Sequence, residues 1–133
     1  MNIYLAAWYE RNAEMRGYRD VLKNMGHRVT SRWIDQHEGE LPESMGEGVI
    51  AAHVDAAAKY ALKDLQDILA ADFLVHFTSP GFGLGGRHIE FGYALALRMP
   101  IAIVGPRENV FHALPEVAWY PDWETFIARA FLP

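Results

Sequence analysis

Residues Ala71 to Pro100 run A-D-F-L-V-H-F-T-S-P-G-F-G-L-G-G-R-H-I-E-F-G-Y-A-L-A-L-R-M-P. Phe73 to Phe77 is a short apolar run bounded by turn residues, the pattern of a buried strand. Gly81, Gly83, Gly85 and Gly86 make a glycine-rich loop, and a helical pattern then starts near His88 and ends before Pro100. In an α/β fold, strand, glycine loop and helix in that order present a ligand to a helix N-terminus, where free N–H groups and the positive end of the macrodipole favour anions. Glu90 falls in the first turn of the predicted helix, so the dipole should hold its carboxylate ionised and aimed at the cavity of the loop. A carboxylate placed there can act as a nucleophile. The simpler alternative is that it only answers the dipole.

The segments on either side repeat the same alternation of strand and helix. Ile3 to Ala7 is a short apolar run suited to a first strand buried on both faces. Asn12 to Met25 carries apolar residues at helical spacing and stops at Gly26. His27 to Ile34, with Val29, Ser31 and Trp33 alternating, predicts a second strand. Asp35 to Gly48 is polar and acidic, either a lid or a solvated spacer. Val49 to Ala71 is the longest helical pattern, with Ile50, Val54, Ala57, Ala61, Leu65 and Ile68 along one stripe. Asp64 lies at the margin of that stripe, where a carboxylate must be paired or used, and Asp67 projects further out. Ile101 to Val104 predicts a fourth strand, Val117 to Trp119 a fifth, and Asp122 to Phe131 a closing helix. The order predicts an α/β fold whose mostly parallel sheet is wrapped on both sides.

The 133 residues, 51% of them hydrophobic, fit a single domain spanning 1–133 with one core. A formal net charge of −5 argues against tracking a nucleic acid polymer, which needs clustered Lys and Arg. The absence of cysteine excludes disulfides, thiolate nucleophiles and Cys-ligated metals. With no basic leader and no long apolar run, the chain is expected to be cytoplasmic and to have no membrane partner. Gly83-Leu84-Gly85-Gly86 does not meet the dinucleotide fingerprint, and no Gly-Lys-Ser/Thr follows it. The six histidines show neither HxxxH nor HExxH spacing, so neither a metal nor another cofactor is expected. His76, inside an apolar strand, is read as a hydrogen-bonded core histidine. Arg87 and His88 border the helix N-terminus, where an anion or a base edge could sit.

Taken together, Ile3-Tyr4-Leu5-Ala6-Ala7-Trp8, Asp64-Leu65 ahead of Asp72, the glycine loop and Glu90-Phe91-Gly92-Tyr93-Ala94 resemble the nucleoside 2-deoxyribosyltransferase family and its relatives, the deoxynucleoside 5'-monophosphate N-glycosidases. The resemblance runs from Met1 to about Gly105. It implies a flavodoxin-like, three-layer fold with a five-stranded sheet. It also implies that Glu90 is the nucleophile, that Asp64 assists at the nucleobase and that Tyr4 orients the nucleophile. Where the glycosidase branch has a Ser/Arg/Gly-rich phosphate-binding turn, this chain has Trp8-Tyr9-Glu10-Arg11, closer to the aromatic version of the transferases. That favours a nucleoside over a nucleotide, although Arg11, Arg16 or Arg87 could still meet a phosphate. The loop before Glu90 is longer than the family's by Arg87-His88, and it lacks the acidic residue that many transferases carry.

The chemistry so implied is that of retaining glycosidases, with two carboxyl groups ~5 Å apart around an oxocarbenium-like transition state. Trp8, Tyr9, Gly83, Gly85, Gly86, Arg87, His88, Asn109 and His112 are the expected substrate contacts, and Trp8, Tyr9 and Phe82 offer flat surfaces for a base. A homodimer or higher homo-oligomer is expected, with the segment containing Asn109, Phe111 and His112 closing a neighbour's site. Two other readings stay open at this point: a non-catalytic nucleotide-binding module, and a phosphoribohydrolase acting on ribonucleoside monophosphates.

Overall fold

Five parallel strands form one sheet in the order β2-β1-β3-β4-β5 in the computed structural model, which describes residues 1–36, 47–79 and 85–133. The strands are β1 (Asn2–Ala6), β2 (Arg28–Val29), β3 (Phe73–Phe77), β4 (Ile101–Val104) and β5 (Val117–Tyr120). This order, with its reversal between β1 and β3, is that of flavodoxin-like sheets. β1 and β3 pair over four residues, from Ile3 with Phe73 to Ala6 with His76, and β3 pairs with β4 from Leu74–Ile101 to Phe77–Val104. The predicted β1, β3, β4 and β5 all form within a residue or two of their expected bounds.

Alternation along β3 assigns the two faces. Phe77 stacks on Tyr18 of α1 (Asn12–Asn24) and contacts Trp123 of α5 (Trp123–Arg129), with ring centroids 5.5 and 6.0 Å away. On the opposite face His76 meets Phe91 of α4 (Gly86–Ala96) at 5.1 Å. Packed beside α4 is α3 (Val54–Leu69), so the sheet lies between two helical layers. The core between them includes Ile3, Leu5, Leu74, Val75, Ile103 and Phe126, all wholly or almost wholly buried. α5 opens with Asp122 accepting the Thr125 N–H at 2.7 Å, an N-cap of the usual kind. Among the described residues no helix is long and apolar enough to cross a membrane.

Three expectations need correction. The second strand is not His27 to Ile34: only Arg28 and Val29 pair with β1, and Arg32–Asp35 is a 3₁₀ turn. The alternation of Ser31 and Trp33 was real, but these side chains replace the ladder. Ser31 Oγ accepts the Leu5 N–H at 2.6 Å and Trp33 Nε1 donates to the Leu5 carbonyl at 2.8 Å, so the edge of β1 is satisfied without a longer strand. The long helical pattern is divided at His53, whose backbone leaves the helical region (φ −134°, ψ 41°), into α2 (Glu47–Ala52) and α3. Its stripe is buried only toward the C-terminal end, at Ile68, while Ile50, Val54 and Ala61 are exposed. Asp67, expected to project outward, is buried. Its carboxylate accepts from Arg32 Nε at 2.7 Å and from the Arg32 backbone N–H at 3.0 Å, and its carbonyl accepts the Thr30 hydroxyl at 2.9 Å. The aspartate therefore ties α3 to the turn that stands in for the missing strand. The proposed lid falls mostly outside the described residues.

Candidate functional site

α4 begins at Gly86, two residues earlier than predicted, behind Gly85 in the left-handed conformation (φ 91°). That shift moves Glu90 to the fifth helical residue and out of the first turn. The dipole does not hold its carboxyl ionised. Burial dominates instead and pushes Glu90 up to about 8. One group opposes this: the hydroxyl of Tyr4, a wholly buried residue of β1, donates a hydrogen bond to Glu90 Oε2. A hydrogen bond to the charged form favours ionisation, so the phenol aims the carboxylate and offsets part of the cost of desolvating it.

Asp64 lies half-buried on α3, the helix packed against α4. Its carboxyl is pushed up to about 7, first by burial and then by the negative charge of Asp67, against the pull of Lys63 and Arg32. Two carboxyl groups on adjacent helices thus titrate near neutrality, where each can hold or release a proton.

The root of the glycine loop is fixed from below. Arg11, expected as a possible phosphate contact, directs Nη1 at the carbonyls of Thr78 and Ser79, 3.4 Å from each. It is itself gripped by both oxygens of Glu14 at 2.7 and 2.8 Å, with the Tyr18 hydroxyl donating to the same carboxylate. Ser79 adopts φ 32°, a strained conformation for a residue with a side chain. Gly105 (φ 117°) closes against Thr78 so tightly that a Cβ there would lie 2.6 Å from the Thr78 hydroxyl oxygen. Gly83 and Phe82 fall outside the described residues.

The remaining predicted contacts divide. Tyr9 is turned toward the second segment: its hydroxyl donates to the Gln36 carbonyl at 3.1 Å and its ring lies 6.3 Å from Trp33. Trp8 is half-buried at the end of β1. Gly85 and Gly86 open α4. Arg87, His88, Asn109 and His112 do come together, beside the first turn of α4. Arg87 is buried and donates to both oxygens of Glu108 at 3.1 Å, which occupies the charge offered to a phosphate. Asn109 Nδ2 lies 3.3 Å from His112 Nε2. Sequence reasoning missed Glu108 as the partner of Arg87, and it misjudged His76, whose two ring nitrogens have no hydrogen-bond partner among the described residues. Neither residue carries a spacing signal, because their neighbours come from other elements.

No protein-family model and no curated protein matches the chain. Solved structures do. A 2-deoxyribosyltransferase from Bacillus psychrosaccharolyticus is similar over 93% of this chain and 88% of its own, with 21% identity and a TM-score of 0.65. The CMP N-glycosidase BcmB from Clostridium botulinum is similar over 98% of both chains, with 16% identity and a TM-score of 0.59. At these identities the likeness shows a shared fold, a five-stranded parallel sheet between two helical layers spanning nearly the whole chain.

Proposed function

We propose that the chain cleaves the N-glycosidic bond of 2'-deoxynucleosides through a covalent deoxyribosyl–Glu90 intermediate and passes the deoxyribose to a second nucleobase. The observation that carries this reading is the Tyr4–Glu90 hydrogen bond: a phenol from β1 holds a largely desolvated carboxyl group on α4. In the first step a Glu90 oxygen bonds to C1' as the C1'–N bond breaks, and protonated Asp64 gives its proton to the departing base. In the second step a nitrogen of the acceptor base attacks C1', Glu90 leaves as carboxylate, and Asp64 recovers a proton from the incoming base. Water in place of the acceptor gives hydrolysis. The likeness to a solved 2-deoxyribosyltransferase and the aromatic Trp8-Tyr9 after β1 support transfer.

A second reading, hydrolysis of a nucleoside 5'-monophosphate, is favoured by the likeness to a CMP N-glycosidase. It is weakened by the pairing of Arg87 with Glu108 and of Arg11 with Glu14, which neutralises both guanidinium charges. The test is a panel of deoxynucleosides and their monophosphates, with and without an acceptor base, resolved by chromatography. Exchanged nucleoside from unphosphorylated substrate supports transfer. Free base from monophosphates alone, at a rate indifferent to acceptor, overturns it in favour of the second reading.

The same proposal includes a homo-oligomer. Ile89 on α4 and Val110 and Phe111 after β4 are 70%, 79% and 57% exposed, an apolar set suited to a neighbouring copy. A monomeric mass in solution with full activity would contradict this part.

A further inference from the structure

Three histidines that no sequence spacing links converge beside the N-terminus of α4. His76 comes from β3, His88 from the first turn of α4, and His112 from the 3₁₀ turn Val110–Ala113. One ring nitrogen of each lies within 4.8 Å of the others, and the ring centroids stand 5.1, 5.3 and 5.7 Å apart. His76 is completely buried, and among the described residues neither of its nitrogens has a partner; Nδ1 of His88 is also buried without one there. A buried imidazole without protein partners costs the desolvation of both polar atoms, a cost that a bound cation receiving a lone pair would offset.

A water offers two protons to three converging nitrogens, whereas a tetrahedral cation accepts three imidazoles and one further ligand. Ligand nitrogens around tetrahedral zinc stand ~3.3 Å apart, so modest rotation of the rings closes the site. The cation nearest the cluster, Arg87, is neutralised by Glu108, whose carboxylate also lies 3.9 Å from His88 Nε2. His112 Nδ1 accepts the Glu108 N–H at 3.0 Å while its Nε2 faces the Asn109 amide. Two donors thus face a neutral ring that has one lone pair, and a bound cation would displace one of them.

We propose that His76, His88 and His112 form a three-histidine binding site for a zinc-class divalent cation. Imidazole nitrogen selects zinc and its first-row neighbours over magnesium or calcium, which prefer oxygen. Such an ion would staple β3, α4 and the segment after β4 next to the helix that carries Glu90. The inference stands independently of the reaction proposed for Glu90.

The test is titration of chelator-stripped protein at neutral pH with Zn²⁺, and separately with Co²⁺. One equivalent of zinc per chain, a rise in melting temperature and the intense visible absorption of tetrahedral cobalt are expected. His88→Gln, at a half-buried position, should weaken zinc by more than the ~10–100-fold that loss of an outer partner costs. His53→Gln, on an exposed histidine away from the cluster, should bind as the parent does. Substoichiometric zinc, a weak octahedral cobalt spectrum, or unchanged affinity in His88→Gln would each overturn the site. The cobalt spectrum of the parent protein decides the matter even if that variant does not fold.

Discussion

The Tyr4 phenol, buried in the second strand from the edge, donates its hydrogen bond to Glu90 across the gap between the sheet and α4. The bond joins residues far apart in sequence. It also fixes the direction of a carboxyl that burial pushes up to about 8.

Tyr4→Phe keeps the ring in the core and removes only the donor. A hydrogen bond to a charged group contributes about 1.5–3 kcal/mol, so kcat/KM should fall by roughly one to two orders of magnitude at neutral pH. Because the lost bond favoured the ionised form, Glu90 should titrate higher still, and the alkaline limb of the pH–rate profile, set by the higher constant of the pair, should move upward. A parent-like rate and an unmoved limb would remove Tyr4 from the mechanism.

Asp64→Asn should slow base departure by roughly 10² to 10⁴, the range of general acid catalysis, and less for a nucleoside whose base leaves more readily. With Asp64 near 7 and Glu90 near 8, the parent kcat/KM should be bell-shaped with its maximum between those values, and the apparent constants belong to the pair. Equal losses for good and poor leaving groups would make Asp64 a positioning residue.

Glu90→Gln should stabilise the protein above neutrality. The folded carboxyl titrates near 8, above its reference of 4.5, so its contribution to stability is fully present below 4.5 and is lost as pH rises to about 8. Melting temperatures of parent and variant should therefore diverge across that window in favour of the variant, then run parallel. A parent that stays the more stable above pH 8 would mean that the carboxylate is held as a structural partner, contrary to the account.

What the sequence makes legible here is what local pattern encodes. β1, β3 and β4 are short apolar runs between turn signals, and α1 is a clean amphipathic helix, so the alternation that sets the sheet could be read directly. The second strand could not, because Ser31 and Trp33 satisfy Leu5 through their side chains, and the alternation is the same whether backbone or side chain makes the bond. Asp67 was misjudged for a related reason. Its place on the helical wheel faced away from the stripe, but the Arg32 turn packs on that side. The Tyr4–Glu90 pair was available only through family resemblance. The histidine cluster was invisible, since strand, helix and turn each contribute one ring and only the fold brings them together.

The most direct measurement is the intact mass of the protein mixed with a deoxynucleoside in the absence of acceptor and quenched rapidly in acid. The account predicts a population heavier by one deoxyribosyl group, mapping by peptide fragmentation to Glu90 and discharged when a second base is added before the quench. Glu90→Ala should show no adduct and lose roughly 10⁴-fold or more in turnover, as removal of a covalent nucleophile does elsewhere. Base exchange that proceeds with no adduct, or with one mapping to another residue, would contradict the claim that Glu90 is the nucleophile.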